Sequence, residues 1–497
     1  MYRNPVIPGF APDPSVTFHD GKYYLVTSTF EYFPGVSLWT SEDLVNWKPM
    51  GGILTSESQL DLKEAASSSG LYAATIRVNS SGRFYMVTTN KYTHENFICH
   101  TDDIKGPWSE THFIAKDGID PSLLFLPDGR CFYTSNGSVD GVRGIKGAFI
   151  NPDTGELLED FTLLSKGCGG AAPEGPHIYF ENGWYYLMLA EGGTGYGHHE
   201  VILRSKDIHG PYEANPANPI LSHVSRKGHP IQAVGHADLI KTPEGEWYAL
   251  FLGIRVKPRP LLHHLGRETF LEKVTWRNGW PVIGNDGLSE LFHKDGPTQN
   301  DNSDYSVSFT RKLEEYPYLK VRVPKNECYI QDIEKGTLTL IGEDNIALPL
   351  SHPTLLAFRQ RGFYEVMEVT LSLRELEDRA GIASWVSDDY HYRLEVRKAE
   401  DGVRISLIRH IHDFEAVTET LTLPMSETIG LSIISDDEDY IFMAGDHTIG
   451  RATVYGLAAE GQMHNSFTGA LFAIYAEGGK AVFLDGITMK SKTDGDK

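Results

Sequence analysis

The sequence is poor in the features that mark several large classes of protein. Its four cysteines, Cys99, Cys131, Cys168 and Cys328, lie far apart and form no Cys-x-x-Cys pair. Neither a zinc ribbon nor a disulfide scaffold is indicated. No run approaches the ~18 consecutive apolar residues of a membrane-spanning helix. The opening stretch, Met-Tyr-Arg-Asn-Pro-Val-Ile-Pro-Gly, has no apolar core of the kind a signal peptide carries, so a reduced, cytoplasmic, soluble chain is expected. Basic residues are also scarce: 45 Lys and Arg stand against 67 Asp and Glu, a formal charge of −22. Nucleic acid and anionic membrane are disfavoured as partners, because both draw affinity from clustered Lys and Arg. Helix signals are sparse; Ser56–Ala66 and Leu373–Arg379 are the best short candidates.

Aromatic residues are plentiful instead, with 8 Trp, 24 Tyr and 23 Phe among 497 residues. At roughly 150 residues per domain the length suggests about three domains. An internal repeat lowers that number. One theme recurs: a β-rich run, an acidic or small residue, Gly, then an aromatic β-run. The copies turn at Gly21, Gly82, Gly129, Gly183 and Gly245, at intervals of 61, 47, 54 and 62 residues. Each reads as a hairpin, since Asp-Gly and Asn-Gly supply the positive φ of tight turns. The interval fits one four-stranded propeller blade with its loops. A second theme, Leu38-Trp-Thr-Ser-Glu-Asp43, Cys99-His-Thr-Asp-Asp-Ile104 and Leu203-Arg-Ser-Lys-Asp-Ile208, would supply outer strands. The sequence therefore predicts an all-β chain with a five-bladed β-propeller over residues 1–295. Residues 296–304 have linker composition. Alternating runs such as Tyr318–Val323, Thr337–Ile341, Val366–Leu371, Tyr392–Val396 and Val403–Ile408 then predict a β-sandwich over 305–497.

Counting back from each turn glycine reaches the start of its inner strand. Eight residues before Gly21 is Asp13; nine before Gly129, Gly183 and Gly245 are Asp120, Glu174 and His236. Only the second copy has an apolar residue there, Ala73. Equivalent positions on innermost strands face one end of a propeller channel, so three carboxyls and a histidine converge. An acid before Pro or Gly can simply cap a turn, but three acids and a histidine in one register need more than that. Crowded carboxylates repel, which separates their pKa values. One is left ionised and another protonated, as glycosidic hydrolysis requires.

These residues, with Asn4–Ser15, Thr27–Gly35, Glu174-Gly-Pro-His177, Ala190–Thr194, Gly235-His-Ala237 and Leu265-Gly-Arg-Glu-Thr-Phe270, resemble glycoside hydrolase family 43 in its β-xylosidase and α-L-arabinofuranosidase branch. The matches span the propeller in family order. The second domain resembles the C-terminal jelly-roll, concanavalin-like sandwich of the long xylosidases, most clearly at Ser466-Phe-Thr-Gly-Ala470. The resemblance implies an exo-acting, inverting enzyme that removes terminal β-D-xylose from short xylo-oligosaccharides, and α-L-arabinofuranose as well. It makes Asp13 the general base, Glu174 the general acid and Asp120 the residue that tunes and orients the acid. Arg267 matches an arginine that bonds sugar hydroxyls, Phe30 an aromatic wall, and Phe467 a residue that the sandwich inserts at the pocket mouth. No cofactor is required, although His236 matches a channel histidine that in some relatives holds a divalent cation, often calcium. A homo-oligomer, dimer or tetramer, is also implied.

One departure concerns specificity. Long xylosidases commonly read Gly-Ile-Trp-Ala-Pro-Asp where this chain has Gly70-Leu-Tyr-Ala-Ala-Thr75. Tyr72 thus replaces a pocket tryptophan with a smaller, hydroxylated ring, and members with this pattern are more often tied to arabinofuranosidase or dual activity. Primary arabinofuranosidase activity is the alternative reading. A retaining sucrose or fructan hydrolase would carry an Asn-Asp-Pro-Asn-Gly element that is absent here. A catalytically silent carbohydrate-binding propeller would lack a member of the acid trio.

Overall fold

A computed structural model describes residues 1–258, 261–300 and 304–491. Turn chemistry sets the local structure. At Asp20-Gly21 and Asn182-Gly183 both residues take positive φ, 48° and 77° and then 52° and 72°. That is the mirror-image two-residue turn whose twist matches its flanking strands, and it pairs His19 with Lys22 and Glu181 with Trp184. At the other three repeats only the glycine is left-handed, and the loop is longer: Asn79, Leu126 and Thr242 donate across it to Arg83, Arg130 and Glu246. Asp140-Gly141 and Asn278-Gly279 form two more two-residue turns, outside the repeat.

The strands assemble into five successive antiparallel sheets. Their innermost strands are Ser15–His19, Leu71–Val78, Ser122–Phe125, Glu174–Glu181 and Ile231–Lys241, and their last paired strands end near residues 54, 116, 165, 222 and 283. Each consecutive pair of sheets encloses its own apolar cluster. Val26 and Leu38 meet Ile76 and Met86; Val87 and Ile98 meet Leu123 and Tyr133; Phe132 and Ile145 meet Leu187 and Val201; Met188 and Ile202 meet Phe251 and Phe270. Leu250 and Leu271 of the last sheet then meet Val16 and Leu25 of the first, so the ring closes on itself as a β-propeller. The N-terminus is sewn into the ring's end, with Tyr2–Arg3 pairing Phe292–His293.

The second unit is a sandwich of an eight-stranded and a six-stranded sheet around a single core that includes Met367, Leu394, Ile433 and Phe472. Its first ladder strand, Tyr305–Ser308, follows the linker composition, of which residues 301–303 lie outside the described residues, as do 492–497 at the end of the expected domain. The run Tyr318–Val323 differs from expectation. Only Lys320–Val321 is a strand; it pairs with Tyr32–Phe33 of the propeller, while Leu319 beside it bridges to Ala357 of the sandwich. An interface core of Phe10, Phe30 and Tyr32 against Leu355, Trp385 and Tyr475 takes the alternating apolar residues that read as sandwich core.

No α-helix occurs among the described residues, only four three-residue 3₁₀ turns. Ser56–Ala66 stays a loop held by its side-chain contacts: the Gln59 amide accepts from Thr55 N–H and donates to the Trp108 and Ser109 carbonyls, and Asn90 caps the Asp61 carbonyl. At Leu373–Arg379 the N–H groups of Leu373 and Arg374 donate to the Glu427 carbonyl, and Leu376 N–H bonds back to the Leu373 carbonyl, three residues behind rather than the four of an α-helix. No helix is long and apolar enough to cross a membrane, and all four cysteines are free.

Candidate active site

The repeated register survives as repeated backbone geometry. Asp13, Asp120 and His236 all adopt left-handed φ, at 54°, 57° and 52°, and Glu174 is followed by left-handed Gly175. Non-glycine residues rarely sit there; Asp and His are among those that tolerate it. Strand pairing is interrupted at the same height, between Tyr72 and Thr75, Glu174 and His177, and Gly235 and Asp238. Such bulges re-aim side chains, and here they turn them into the channel mouth.

Asp13 and Asp120 are buried, at 4% and 6% exposure, whereas Glu174 is half-buried. Burial alone would raise the Asp13 pKa. The Arg267 guanidinium, His236, a Ser28 hydrogen bond and His198 outweigh it, so the carboxyl is held below its usual range. Arg267 Nη1 donates to Asp13 Oδ1 at 2.9 Å and Ser28 Oγ donates to Oδ2 at 2.6 Å. Glu174 moves the other way: burial and then the Asp13 charge push it up to about 7. Asp120 also rises to about 7, through burial and the charges of Glu174 and Asp13, against an opposing pull from His236. The Gly175 N–H donates to Asp120 Oδ2 at 3.0 Å, which ties Asp120 to the backbone beside Glu174. The three carboxyls therefore share one electrostatic neighbourhood with one ionised member and two that hold protons near neutrality.

An aromatic wall stands beside them. Phe30 forms an isolated bridge with Leu71, which places Tyr72 next to it. Ring centroids of Phe30, Tyr72 and Phe467 lie 5.2–5.9 Å apart, and the third ring comes from the sandwich. Arg267 is 6% exposed, lies over Phe30 and Phe467, and donates to Thr194 Oγ1 at 2.9 Å and to the Phe467 carbonyl at 3.2 Å. Its neighbour Glu268 pairs instead with Arg255.

Several residues around the pocket carried no assignment from sequence. His198 stands 4.0 Å from Glu174 Oε1, and burial keeps its ring neutral, its pKa lowered to about 3. With Nδ1–H donating to the Ala233 carbonyl, its Nε2 has no protein hydrogen-bond partner. Ser68 orients two wall residues: its Oγ accepts from Phe467 N–H and its carbonyl from the Tyr72 hydroxyl. Ser28, Thr194 and Ser68 are small hydroxyl residues in loops, with no periodic signal to single them out. Below the acids, every inner strand contributes to a buried network, and Glu174–Glu181 contributes two residues. Asp238 accepts from Ser15, Arg77 and Tyr179, and His177 Nδ1 contacts both Arg77 and Ser122. Arg77 and its companions hold Asp238 ionised despite burial.

His236 packs on Gly175, where an added Cβ would sit 3.1 Å from its Nδ1. No group of three or more His, Cys, Asp or Glu among the described residues is placed to hold a metal ion, and Asp238, two residues on, is committed to Arg77. The residues present therefore do not fit a metal centre held by protein ligands alone.

An ionised carboxylate and a protonated carboxyl facing one aromatic-walled pocket at the end of a propeller define a glycosidase. Comparison with known proteins gives the particular family. Residues 2–281 match the description "Glycosyl hydrolases family 43" and residues 308–482 match "Beta xylosidase C-terminal Concanavalin A-like domain". A non-reducing end alpha-L-arabinofuranosidase of Bacteroides ovatus is 34% identical over 96% of this chain and 91% of its own. A xylosidase/arabinosidase of Butyrivibrio fibrisolvens is 33% identical over 82% of this chain and 81% of its own. The crystal structure of xylan beta-1,4-xylosidase from Bacillus halodurans superposes with a TM-score of 0.89 at 28% identity, covering 99% of this chain and 100% of that one. The chain belongs to glycosyl hydrolase family 43.

Proposed function

We propose that the protein is an exo-acting, inverting glycosidase that removes terminal β-D-xylose from xylo-oligosaccharides and also cleaves α-L-arabinofuranosides. What carries this is the geometry that ties Arg267 and Ser28 to Asp13 and the Gly175 N–H to Asp120 beside Glu174, which shifts Asp13 below its usual range and Glu174 above. Asp13, ionised, takes the proton of the attacking water; Glu174, protonated, gives its proton to the leaving oxygen. Asp120 orients Glu174 and, while protonated, spares it a further repulsive charge. Arg267 holds Asp13 in place and, with its other donors on Thr194 and the Phe467 carbonyl, has one Nη2 N–H left for a sugar hydroxyl. Phe467 narrows the mouth from the sandwich side, which favours removal of one residue at a time.

Release of 4-nitrophenol from the β-D-xyloside and the α-L-arabinofuranoside tests the reading. Both are expected to be cleaved, with the first-formed sugar anomer inverted by proton NMR. Hydrolysis of neither would sink it. Tyr72 in place of a broader ring, together with the relatives named for arabinose, favours a second reading in which the arabinofuranoside is the better substrate.

Turnover is proposed to need no cofactor. A divalent cation at His236 would have one imidazole and otherwise water as ligands, a donor set from which a chelator strips metal readily. Dialysis against EDTA is expected to leave the rate unchanged, and a loss restored by Ca²⁺ would show otherwise. A cytoplasmic site of action on short oligomers is supported by four cysteines left as free thiols. A homo-oligomeric state is likewise proposed, for light scattering to test.

A further inference from the structure

Between the sandwich and the propeller, one carboxylate makes contacts that neither unit needs for its own sheets. Glu460 lies in the short turn Ala459–Gly461. Its Oε1 accepts from the Tyr196 hydroxyl at 2.6 Å and meets His263 Nδ1 at 2.8 Å, while Oε2 accepts from the His263 backbone N–H at 2.9 Å. Backbone bonds flank it: Ala459 N–H donates to the His263 carbonyl at 3.0 Å and Ala470 N–H to the His264 carbonyl at 2.7 Å. Burial would raise the Glu460 pKa, but the bonds from His263 and Tyr196 bring it down to about 2, so this is an ionised acceptor. Charge-assisted bonds of this kind are the strong ones.

Tyr196 and His263 belong to two different propeller loops. The first joins Trp184–Glu191 to His199–Ser205 and carries Thr194 and His198. The second leads to Arg267 four residues later. Between the two anchored ends of the sandwich segment 459–470 lies Phe467, whose N–H is held by Ser68 and whose carbonyl is held by Arg267. The backbones meet closely at this point. A Cβ on Gly469 would lie 2.3 Å from the Leu265 carbonyl oxygen, and one on Gly266 would lie 2.9 Å from Gly469 Cα. Any side chain at either glycine would lift the segment off the pocket.

We propose that Glu460 is a positioning residue that latches segment 459–470 onto both propeller loops and so sets how firmly Arg267 and Phe467 grip the terminal sugar. This rests on the glycosidase reading of the pocket and deepens it. The acid and base stand on the inner-strand register and are not part of the latch, but Arg267 reaches Asp13 as well as the sugar subsite. Loosening the latch therefore weakens sugar binding, which raises KM, and slackens the hold of Arg267 on Asp13, which lowers kcat by a smaller factor.

The test compares Glu460→Ala, Glu460→Gln and wild type in steady state, in melting and in amide hydrogen exchange. Glu460→Ala, which removes all three bonds to the carboxylate, is expected to raise KM for the nitrophenyl glycosides about tenfold with a smaller fall in kcat. Glu460→Gln, whose single carbonyl oxygen can accept from Tyr196 or from the His263 N–H but not from both, should fall between. Exchange should quicken in 192–198, 261–267 and 459–470 alone. A fall in melting temperature with KM and loop exchange unchanged would overturn the latch and leave Glu460 an ordinary interface brace. If wild type cleaves neither glycoside, the glycosidase reading falls by itself. The latch is then decided by exchange, and unchanged protection in 192–198 and 261–267 would refute it.

Discussion

Asp13→Asn and Asp13→Ala are both expected to lower kcat by about 10³–10⁴-fold on every glycoside, whatever its leaving group. The reason lies in which step needs this carboxylate. Water must lose a proton as it attacks, and that demand does not change when the departing alcohol is made more acidic. Asp13 is suited to the task because Arg267 and Ser28 fix both of its oxygens, and the Arg267 guanidinium leads the contacts that hold its pKa below the usual range against the opposing effect of burial. Asn preserves the shape and most hydrogen bonds, so it separates loss of basicity from loss of fold. Kinetics on a series of aryl xylosides of falling leaving-group pKa, alongside circular dichroism, would make the measurement. A variant that retained a tenth of the activity, or whose deficit vanished with good leaving groups, would remove Asp13 from the role of base.

The position of that carboxylate is legible in the amino-acid sequence, because a propeller converts sequence register into spatial convergence. Near-equal offsets from the turn glycines place Asp13, Asp120, Glu174 and His236 at one channel end, and the repeated left-handed φ at three of them is the backbone counterpart of that register. Phe30, Tyr72, Arg267 and Phe467 need the family motif as well, since no periodicity links a sandwich loop to a propeller pocket. Their mutual contacts arise from an isolated bridge, a pair of glycines and a carbonyl, none of which has a composition signal. Tyr318–Val323 shows the opposite limit. Alternation correctly indicates burial there, but it cannot say which partners supply the cover, and the run lies between the propeller strand Tyr32–Phe33 and the sandwich strand Thr354–Arg359. The candidate helices do not form for a related reason: distant contacts, the Asn90 amide on the Asp61 carbonyl and the Glu427 carbonyl on the Leu373 and Arg374 N–H groups, hold those segments in other conformations. Local propensity is a weak prior against such tertiary competition.

Glu174→Gln should show the leaving-group dependence that Asp13 variants lack. A protonated carboxyl matters most when the departing oxygen is a poor leaving group, as in xylobiose, and little when it is 4-nitrophenolate. The variant is therefore expected to lose about 10³-fold on xylobiose and about tenfold or less on the nitrophenyl glycoside. In wild type the same proton should set the alkaline limb of the rate profile near pH 7, with Asp120 titrating alongside it, so the limb belongs to the coupled pair. The raised pKa carries a stability consequence with a definite sign. Native Glu174 holds its proton more tightly than the unfolded chain does, so this contribution is full below the ordinary glutamate range near 4.5 and is lost as the pH rises through about 7. Gln has no proton to lose. Glu174→Gln should thus melt a few degrees above wild type at pH 8, with the gap closing by pH 4.5. Calorimetry at the two pH values reads this directly. A gap of the same size at both would mean that the carboxyl is not strained toward its neutral form, and the assignment of Glu174 as the proton donor would lose its physical basis.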